Sequence, residues 1–500
     1  MQWKDIVLRV VFVLMLFSFG LSAYYSTGFY HADEHWQLLE FANYKTGNLS
    51  PELLPWEFEA QIRPTLQVSI AYLMMKVNAL LGSTSPHDAV RILRFITLFL
   101  FLMTSIRFIR SFFKDSTQQP LLNALMGLSL WFLPFLAVRF SSESWGGIFL
   151  IIGWLNLRGN SKWKWGFAAI FFGLSFWFRF QMVFAILPLL FAFFWEERDR
   201  RRAVRDFLAG GILILALGIT VDRWFYGSWV ISPWNYFTLA FLEDSGKDFG
   251  TSPWWQYFQW LFEMPYGWVS LPLFLGIVLC LFDRNFRMIS IVFLSFLLGH
   301  SVIGHKEARF LFPMAIVIVP LFPLVYFKIN RLVERLKPIQ RVWGLLGFLF
   351  ITANGVMMGL ISTRPVGIGE VCISEFLQED RDDEAILIYH RYGNPHNPWE
   401  GSRPTYLYQK KGLIEVKAES PAEIEAVRSK FSNHLIYYSL RKTHLDPTLQ
   451  EYLSSHHFEK VKESLPPWQE RFNTIYPWMD WGEVIYLFKC KASLVAASAE

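Results

Sequence analysis

The stretch Tyr30–Gln37, YHADEHWQ, places two histidines and two carboxylates within five positions, directly after an apolar run. Ionisable groups at the edge of a membrane helix are costly and usually serve a function. Three kinds of chemistry fit: Asp33 or Glu34 as a general base, His31 and His35 as metal ligands, or Asp33 as the N-cap of a helix. The order His-x-Asp-Glu-His differs from the His-Glu-x-x-His of zinc proteases, which argues against the metal.

Four further polar clusters interrupt apolar sequence, and together they combine carboxylates with cations. A carboxylate can take the proton of a hydroxyl nucleophile, whereas lysine and arginine can hold a phosphate. This combination suits transfer of a sugar from a lipid-linked phosphate carrier. Each charge also has a simpler interpretation, as a lipid-headgroup anchor or as half of a buried ion pair. The clusters contain Arg139, Ser142 and Glu143; Arg179 and Gln181; Asp222 and Tyr226; and His305, Lys306, Glu307 and Arg309.

A mostly apolar chain must position these residues. Hydrophobic residues make up 53% of the 500 and charged residues 18%, with a mean hydropathy of +0.28. Apolar segments of bilayer-spanning length recur, which predicts an α-helical polytopic membrane protein with about 11–12 hydrophobic helices. The net charge of +5 lies mostly in short loops, so it indicates topology rather than nucleic-acid binding. The segments lie near 6–25, 64–82, 92–112, 121–138, 144–157, 164–178, 180–195, 207–222, 267–283, 288–304, 309–327 and 340–361.

Basic loops predict the orientation, because cytoplasmic loops carry the excess of lysine and arginine. The loops 158–164, 196–205, 283–287 and 328–341 are therefore predicted to be cytoplasmic. The polar clusters, the loop 26–62 and all residues after 362 then lie on the opposite, periplasmic or lumenal, face.

Two domains are predicted from the change in character near residue 362. Residues 1–362, with the outer loop 26–62, form the transmembrane module, and 363–500 form a small soluble α/β domain on the outer face. In the second domain, alternating apolar runs lie between stretches with helical spacing. The predicted strands are 384–390, 404–409, 433–440 and 483–489, and the predicted helices are 421–431 and 446–456.

Two local features carry separate predictions. In the outer loop, residues 33–45 segregate apolar and polar side chains, which predicts a helix lying in the membrane interface with its apolar side down. The three cysteines fit no metal motif. Cys372 and Cys490 share the C-terminal domain and would form a disulfide if that domain faces an oxidising compartment and the geometry permits it.

Five places resemble the dolichyl-phosphate-mannose-dependent mannosyltransferases that extend N-glycan precursors and GPI anchors, within the GT-C superfamily. The most specific is HKEARF at 305–310, which matches the family's His-Lys-Glu-x-Arg-Phe signature. The resemblance covers about residues 1–330, and Ala32 and Pro64 depart from the family pattern. The other four places are HADE at 31–34, Trp56-Glu57 followed by Arg63, RFSSE at 139–143, and Asp222 with Phe225-Tyr226-Gly227.

The resemblance implies a GT-C fold and a single displacement that inverts the anomeric centre, with no metal and no cofactor. It implies that Asp33 is the catalytic base and that the region from Lys306 to Arg309 lies near the donor phosphate. We expect Glu34 to belong to the catalytic site as well and to shape it. We therefore expect the donor phosphate to be bound by Arg179, His305, Lys306 and Arg309. The residues expected in the sugar or acceptor pocket are Trp56, Glu57, Arg63, Glu143, Asp222 and Tyr226.

The predicted function is a membrane glycosyltransferase that moves a sugar, most simply mannose, from a polyprenyl-phosphate carrier to a glycan or glycolipid hydroxyl. One alternative is a GT-C transferase using another lipid-phosphate sugar, such as a pentose, on a lipid A or cell-wall acceptor. Another is a lipid-linked saccharide flippase, although transporters tend to show repeats, and none is visible. The predicted location is a bacterial inner membrane with a periplasmic active site, and the alternative is the endoplasmic reticulum membrane with a lumenal one.

Overall fold

The structure is a computed structural model, and it describes most of the chain. The contacts between residues divide the chain into two compact units. The first unit comprises residues 1–23, 55–73 and 93–362, and the second comprises 24–54, 74–92 and 363–500. The residues described are 3–113, 120–239, 250–334, 337–380, 384–397, 403–475 and 483–491.

Helices dominate the chain up to residue 362, and each of the twelve predicted apolar segments contains one. The helices are α1 (Trp3–Tyr25), α2 (Ala32–Glu34), α3 (Phe41–Thr46), α4 (Trp56–Glu59), α5 (Leu66–Leu80), α6 (Pro86–Phe112), α7 (Pro120–Leu128), α8 (Leu133–Ala137), α9 (Ser142–Arg158), α10 (Lys164–Phe178), α11 (Val183–Glu196), α12 (Arg200–Tyr226), α13 (Ser232–Phe237), α14 (Gln256–Glu263), α15 (Gly267–Leu281), α16 (Arg287–Val302), α17 (Met314–Val317), α18 (Leu321–Val333) and α19 (Lys337–Ser362).

These helices are apolar enough for a membrane, but many are short. Among the described residues, four are long and apolar enough to cross a bilayer: Asp5–Tyr25, Pro86–Phe112, Arg200–Tyr226 and Gln340–Ser362. A fifth span results if the pair Ala308–Val317 and Leu321–Val333, bent by 60°, counts as one. Several others, including α10 and α16, are apolar helices of 10–17 residues.

Close helix packing in the first unit depends on small residues, as is common in membrane proteins. Helix α10 packs against both α9 and α12. At Gly210 a Cβ would lie 2.4 Å from the carbonyl oxygen of Gly166, so the α10 and α12 backbones meet at a distance that only glycine allows. The three helices therefore form a tight layer, and both ends of α10 are fixed in position.

The second unit contains a five-stranded sheet in the order β2-β1-β3-β5-β4. The strands β2, β1 and β3 are parallel, and β5 pairs antiparallel with both β3 and β4. Apolar side chains from β1, β3 and β5 lie in separate buried clusters, so the sheet has a core on each face. The strands are β1 (Ala385–Tyr389), β2 (Ile414–Lys417), β3 (Leu435–Arg441), β4 (Glu459–Glu463) and β5 (Ile485–Lys491); the helices are α20 (Glu370–Glu379), α21 (Pro421–Lys430), α22 (Pro447–Ser455) and α23 (Pro467–Ile475).

Three of the four predicted strands are confirmed as β1, β3 and β5, and both predicted helices are confirmed as α21 and α22. The strand predicted at 404–409 was wrong, because Tyr406–Tyr408 form a 3₁₀ turn whose Leu407 N–H binds the Glu40 carboxylate. The sequence did not reveal β2 and β4, which lie at the sheet edges. The β4 sequence EKVKE is highly charged, which is how edge strands avoid pairing with other chains.

The helix predicted in the outer loop exists, but its predicted division into an apolar side and a water-facing polar side was wrong. Residues 32–46 form α2, a π-helix (His35–Glu40) and α3 in direct succession. Every residue from 34 to 43 is buried, including Gln37 and Glu40 from the supposed polar side. The segment is therefore a core element of the second unit rather than a helix with one side in water.

The three cysteines are free thiols in the structure. Cys372, in α20, has its Sγ 2.8 Å from Thr27 Oγ1, and Cys490, in β5, has its Sγ 3.3 Å from the carbonyl oxygen of His456. The predicted disulfide between Cys372 and Cys490 is therefore not formed, because the two thiols have different partners.

We expect Glu370→Gln to stabilise the protein above neutral pH. Glu370 begins α20 and is fully buried, and burial raises the pKa of its carboxyl to about 7. In the unfolded chain the same carboxyl ionises near pH 4.5. The free energy of unfolding therefore falls by about 1.4 kcal/mol per pH unit as the pH rises between the unfolded and the folded pKa. The amide removes this loss, giving about 2–3 kcal/mol of relative stabilisation at pH 8 and little change at pH 4.5.

Thermal unfolding of the full chain at pH 5 and pH 8 tests this expectation. Glu379→Gln is the matched control, because Glu379 lies in the same helix and is exposed. The control should shift the unfolding temperature equally at both pH values. If Glu370→Gln does the same, the Glu370 carboxyl does not titrate in the way described.

Candidate active site

A buried carboxylate between two arginines forms the centre of a charged cluster in the first unit. Glu143 Oε1 lies 3.0 Å from Arg179 Nη1 and 3.3 Å from Arg309 Nη1. The three side chains are 2, 7 and 4% exposed, respectively. The Arg179 guanidinium also lies 4.5 Å from the centroid of the Phe310 ring. One carboxylate thus holds two guanidinium groups side by side and compensates only one of their two charges.

Glu307, His305 and Lys306 extend this cluster. Glu307 accepts hydrogen bonds from Arg309 Nε and Nη2, and its Oε1 lies 2.9 Å from His305 Nε2. Lys306 Nζ donates to backbone carbonyl oxygens, including that of Ser252 at 3.1 Å, rather than to a carboxylate. Burial lowers the pKa of the Lys306 ammonium. Among the described side chains of the cluster, three cations face two carboxylates, and the remaining positive charge suits a phosphate.

Helix ends and breaks position these side chains. Glu143 lies in the first turn of α9, after the N-cap Ser141, where the helix dipole favours a carboxylate. Arg179 is extended, with φ −147° and ψ 108°, between the end of α10 and a 3₁₀ turn that leads into α11. Arg309 lies in the 3₁₀ turn Ala308–Leu311. The helical backbone is thus broken at Arg179, between α10 and α11, and the guanidinium lies beside Glu143.

Gly147 allows α9 to approach the segment that carries Arg309. A Cβ at Gly147 would lie 2.6 Å from the carbonyl oxygen of Pro313 and 2.9 Å from its Cα. We expect Gly147→Ala to separate the two segments, to lower stability by about 1–3 kcal/mol and to reduce sugar transfer about 10–100-fold. Thermal unfolding and initial transfer rates provide the measurement.

Gly355→Ala is the control for this prediction, because a Cβ there would meet no atom within 4 Å. Gly355→Ala should leave the stability and the transfer rate close to those of the wild type. An unchanged transfer rate in Gly147→Ala would mean that close contact between α9 and the 308–313 segment is not needed for activity.

Asp222 joins three segments of the first unit. Its Oδ1 accepts hydrogen bonds from Thr65 N at 2.8 Å and Thr65 Oγ1 at 2.7 Å, and its Oδ2 accepts one from Ser232 Oγ at 2.6 Å. The side chain is fully buried. Both carboxylate oxygens of Asp222, which we expected in the sugar or acceptor pocket, therefore accept hydrogen bonds from the chain itself.

Four more residues expected in the sugar or acceptor pocket lie in the segment that leads to Thr65 or contact that segment. The Tyr226 hydroxyl donates to the carbonyl oxygen of Arg63 at 2.7 Å, and Arg63 Nη2 lies 3.6 Å from Glu57 Oε1. Glu57 is buried, whereas Trp56, at the start of α4, is 42% exposed. Tyr226 thus fixes the backbone at Arg63, next to an ion pair and an accessible indole.

In the second unit, His31 caps the short helix that contains Asp33. The backbone N–H of Asp33 donates to His31 Nδ1 at 3.2 Å, and the Asp33 carboxylate, 22% exposed, lies 3.6 Å from the same nitrogen. Glu34 is buried and accepts a hydrogen bond from the backbone N–H of Tyr30 at 3.1 Å. The N-cap is therefore His31 and not Asp33, and Glu34 stabilises the loop that presents Asp33.

His35 belongs to the core of the second unit. Its Nε2 lies 2.7 Å from Glu40 Oε1, and its ring packs against those of Phe29 and Tyr408. The two partners are five residues apart, which is the spacing that a π-helix brings into register. This engagement argues against the alternative of a metal held by His31 and His35. Within the described ranges, no group of three His, Cys, Asp or Glu side chains is placed to hold a metal ion.

Most of these residues were identified from the sequence, but not all of their partners in hydrogen bonds and ion pairs. The sequence could have identified Glu307, because it lies inside the HKEARF motif, although we assigned it no role from the sequence. No sequence pattern points to the other partners, which are Thr65, Ser232 and Glu40. Thr65 and Asp222 are 157 positions apart, so only the folded chain shows that they meet.

Comparisons with known proteins show the family and the fold that the chain resembles. A family model described as the Alg9-like mannosyltransferase family matches residues 11–370. The GPI alpha-1,2-mannosyltransferase 3 of Bos taurus is 28% identical over 328 residues, covering 64% of this chain and 58% of that protein. The human protein of the same name is 27% identical, covering 56% and 51%. The chain thus spans about half to three-fifths of the length of these two relatives.

Two further comparisons extend over nearly the whole chain. GPI mannosyltransferase 3 of Candida albicans is 22% identical over 484 residues, covering 90% of this chain and 91% of that one. The crystal structure of ArnT from Cupriavidus metallidurans bound to undecaprenyl phosphate has a TM-score of 0.54 at 10% identity, covering 99% of both chains. The structural likeness confirms the predicted GT-C fold, and the long apolar helices support the predicted membrane character. The sequence relatives are eukaryotic, so the predicted bacterial inner-membrane location is not borne out.

Proposed function

Because this chain belongs to the Alg9-like mannosyltransferase family, we propose that it transfers mannose from a polyprenyl-phosphate carrier to a glycolipid hydroxyl. The acceptor oxygen forms a bond to the anomeric carbon as the bond from that carbon to the carrier phosphate breaks. The acceptor proton passes to a carboxylate, and the polyprenyl phosphate leaves with the bonding electrons. Attack opposite the leaving group inverts the anomeric centre.

The buried pairing of Glu143 with Arg179 and Arg309 is the observation that carries this proposal. Guanidinium groups in a buried site are preorganised to bind a phosphate and to stabilise the charge that develops as it leaves. Glu143 holds both arginines in place, and Lys306 supplies a further cation. We assign Arg179, His305, Lys306 and Arg309 to the donor phosphate, and we reassign Glu143 from the sugar pocket to positioning the two arginines.

Asp33 is proposed as the general base. Its carboxylate is partly accessible, and the His31 cap and the Glu34 hydrogen bond fix the loop that presents it. A carboxylate in that setting can accept a proton from a substrate hydroxyl. Trp56, Glu57 and Arg63 are proposed to contact the sugar or the acceptor, and Tyr226 and Asp222 to hold the backbone on which Arg63 lies.

The names of the sequence relatives support a more specific acceptor. The bovine and human relatives are GPI alpha-1,2-mannosyltransferases. We propose a GPI-precursor glycolipid as the acceptor, with an α-1,2 linkage in the product. The corresponding location is the endoplasmic reticulum membrane, with the active site on the lumenal face.

A transfer assay with the purified full chain in proteoliposomes tests the proposal. Radiolabelled polyprenyl-phosphate-mannose, polyprenyl-phosphate-glucose and GDP-mannose are compared as donors, with a mannosylated GPI precursor as acceptor. We expect label in the glycolipid only from polyprenyl-phosphate-mannose, and an α-1,2-specific mannosidase should release it. Transfer from another donor, or movement of the lipid-linked sugar across the bilayer without transfer, would overturn the assignment.

A further inference from the structure

A polar cavity of about 750 Å³ lies in the first unit, remote from the charged cluster. It lies where α6, α9 and α11 end and where α10 begins, and it is open on one side. Glu143 lies in the first turn of α9 and Arg158 at its last position, so the length of that helix separates the cluster from the cavity. Seventeen helical residues correspond to about 25 Å. The cavity therefore belongs to a different site from the one assigned to sugar transfer.

Arg158 is held in the wall of this cavity. Its Nη2 donates to the carbonyl oxygen of Ser111 at 2.9 Å and to Asn285 Oδ1 at 3.3 Å, and its guanidinium lies 4.1 Å from the centroid of the Phe112 ring. Both of these hydrogen bonds use one nitrogen. Among the described residues, the other guanidinium hydrogens have no acceptor, so a ligand in the cavity can take them.

The charges of the lining favour an anion. Lys164 Nζ lies 2.7 Å from Glu197 Oε2, and these two charges compensate each other. The hydrogen bonds from Lys164 and Trp165 hold the pKa of Glu197 at about 2, so this compensation persists at neutral pH. Of the remaining charged residues in the lining, Arg158 and Arg198 outnumber Glu196. The cavity thus offers one net positive charge and a fork-shaped donor, which suits a phosphate.

The surroundings favour a lipid as the source of that phosphate. Trp163 and Trp195 are 50 and 69% exposed, next to the cavity-lining residues Lys164 and Glu196. Exposed tryptophans of this kind mark the level of the lipid headgroups. The adjacent run 198–205 contains five arginines, as expected of a cytoplasmic helix end. Basic pockets between membrane helices on that side are typical binding sites for anionic headgroups.

We propose that this cavity binds the phosphate of an anionic phospholipid from the cytoplasmic leaflet, with Arg158 as the principal ligand and Arg198 at the rim. Its volume lies within the range that accommodates a small molecule or a headgroup. A bound headgroup would link the ends of helices that at their other ends carry the charged cluster. The proposal does not depend on which sugar or acceptor the enzyme uses.

Native mass spectrometry of the full chain in detergent tests this site, with phosphatidylinositol, phosphatidylcholine and inorganic phosphate as separate probes. We expect retention of phosphatidylinositol, at least about 10-fold weaker retention of phosphatidylcholine, and no competition from millimolar inorganic phosphate. Equal retention of the two lipids would overturn the proposal. Displacement of phosphatidylinositol by inorganic phosphate would also overturn it, because the site would then be one for free anions.

Substitutions locate the binding to this cavity. Arg158→Gln should weaken phosphatidylinositol binding about 10-fold, and Arg158→Lys should restore part of it. Arg198→Gln provides a second variant if Arg158→Gln does not fold, since Arg198 is exposed. Arg201→Gln, in the same basic run but outside the cavity lining, should bind like the wild type. If Arg201→Gln weakened binding as much as the cavity variants do, the assignment would be overturned. The lipid would then be held by the positive charge of the whole basic run rather than by the cavity.

Discussion

Replacing Asp33 by asparagine is expected to reduce mannosyl transfer about 10²–10⁴-fold. The amide is almost the same size as the carboxylate but cannot accept the acceptor's proton, so the general-base contribution is lost. His31 caps the helix through its bond with the Asp33 backbone N–H, which the substitution retains. The loop should therefore keep its conformation, and the effect should appear in kcat rather than in the KM for the donor.

Initial rates with varied donor and acceptor concentrations check this expectation. Glu52→Gln is the matched control, because it makes the same chemical change at an exposed position of the same outer loop. The control should retain wild-type rates. If Asp33→Asn retains more than a tenth of the wild-type kcat, another group takes the proton.

Replacing Arg309 by lysine is expected to have the second largest effect. The Arg309 guanidinium binds Glu143 through one nitrogen and Glu307 through two others, and a single ammonium cannot reproduce this fork. Glu307 would lose the two hydrogen bonds that the guanidinium donates to it, and the donor phosphate would lose a preorganised guanidinium. We expect kcat/KM for the polyprenyl-phosphate donor to fall about 10²–10³-fold, although the charge is unchanged.

The measurement is kcat/KM for the donor, compared with that for the acceptor. A defect in phosphate binding should raise the KM for the donor far more than that for the acceptor. Arg201→Lys makes the same chemical change at an exposed position and is the control. It should leave the donor kinetics unchanged. Wild-type donor kinetics in Arg309→Lys would exclude a guanidinium-specific contact with the phosphate.

The apolar pattern predicted the helical framework well because bilayer spanning imposes a length and a composition that can be read locally. The helices near residues 6–25 and 340–361 illustrate this, since both appear close to their predicted bounds. The HKEARF motif likewise identified Arg309 and Lys306 without any knowledge of the fold. The sequence is therefore sufficient to predict features, such as a helix or a motif, that a single segment determines by itself.

Features that depend on distant segments could not be predicted in this way. Glu143 and Arg309 are 166 positions apart, and nothing in either segment shows that one carboxylate serves two arginines. The interfacial helix was predicted from an amphipathic pattern, but residues of the C-terminal part, such as Leu407, cover its polar side. Because Glu40 is buried against Leu407, its polar side chain does not indicate a surface that faces water.

The break at Arg179 has a consequence for the surrounding lipid. Helices α9, α10 and α11 have 17, 15 and 14 residues and so rise only about 21–26 Å, less than the roughly 30 Å of an average hydrocarbon core. Thinning of the bilayer where it meets these helices would relieve this hydrophobic mismatch. Thinning brings water and headgroups closer to the buried arginines, which shortens the distance that a lipid-borne phosphate must travel to reach them. The short helices would thus suit the protein to a thin bilayer.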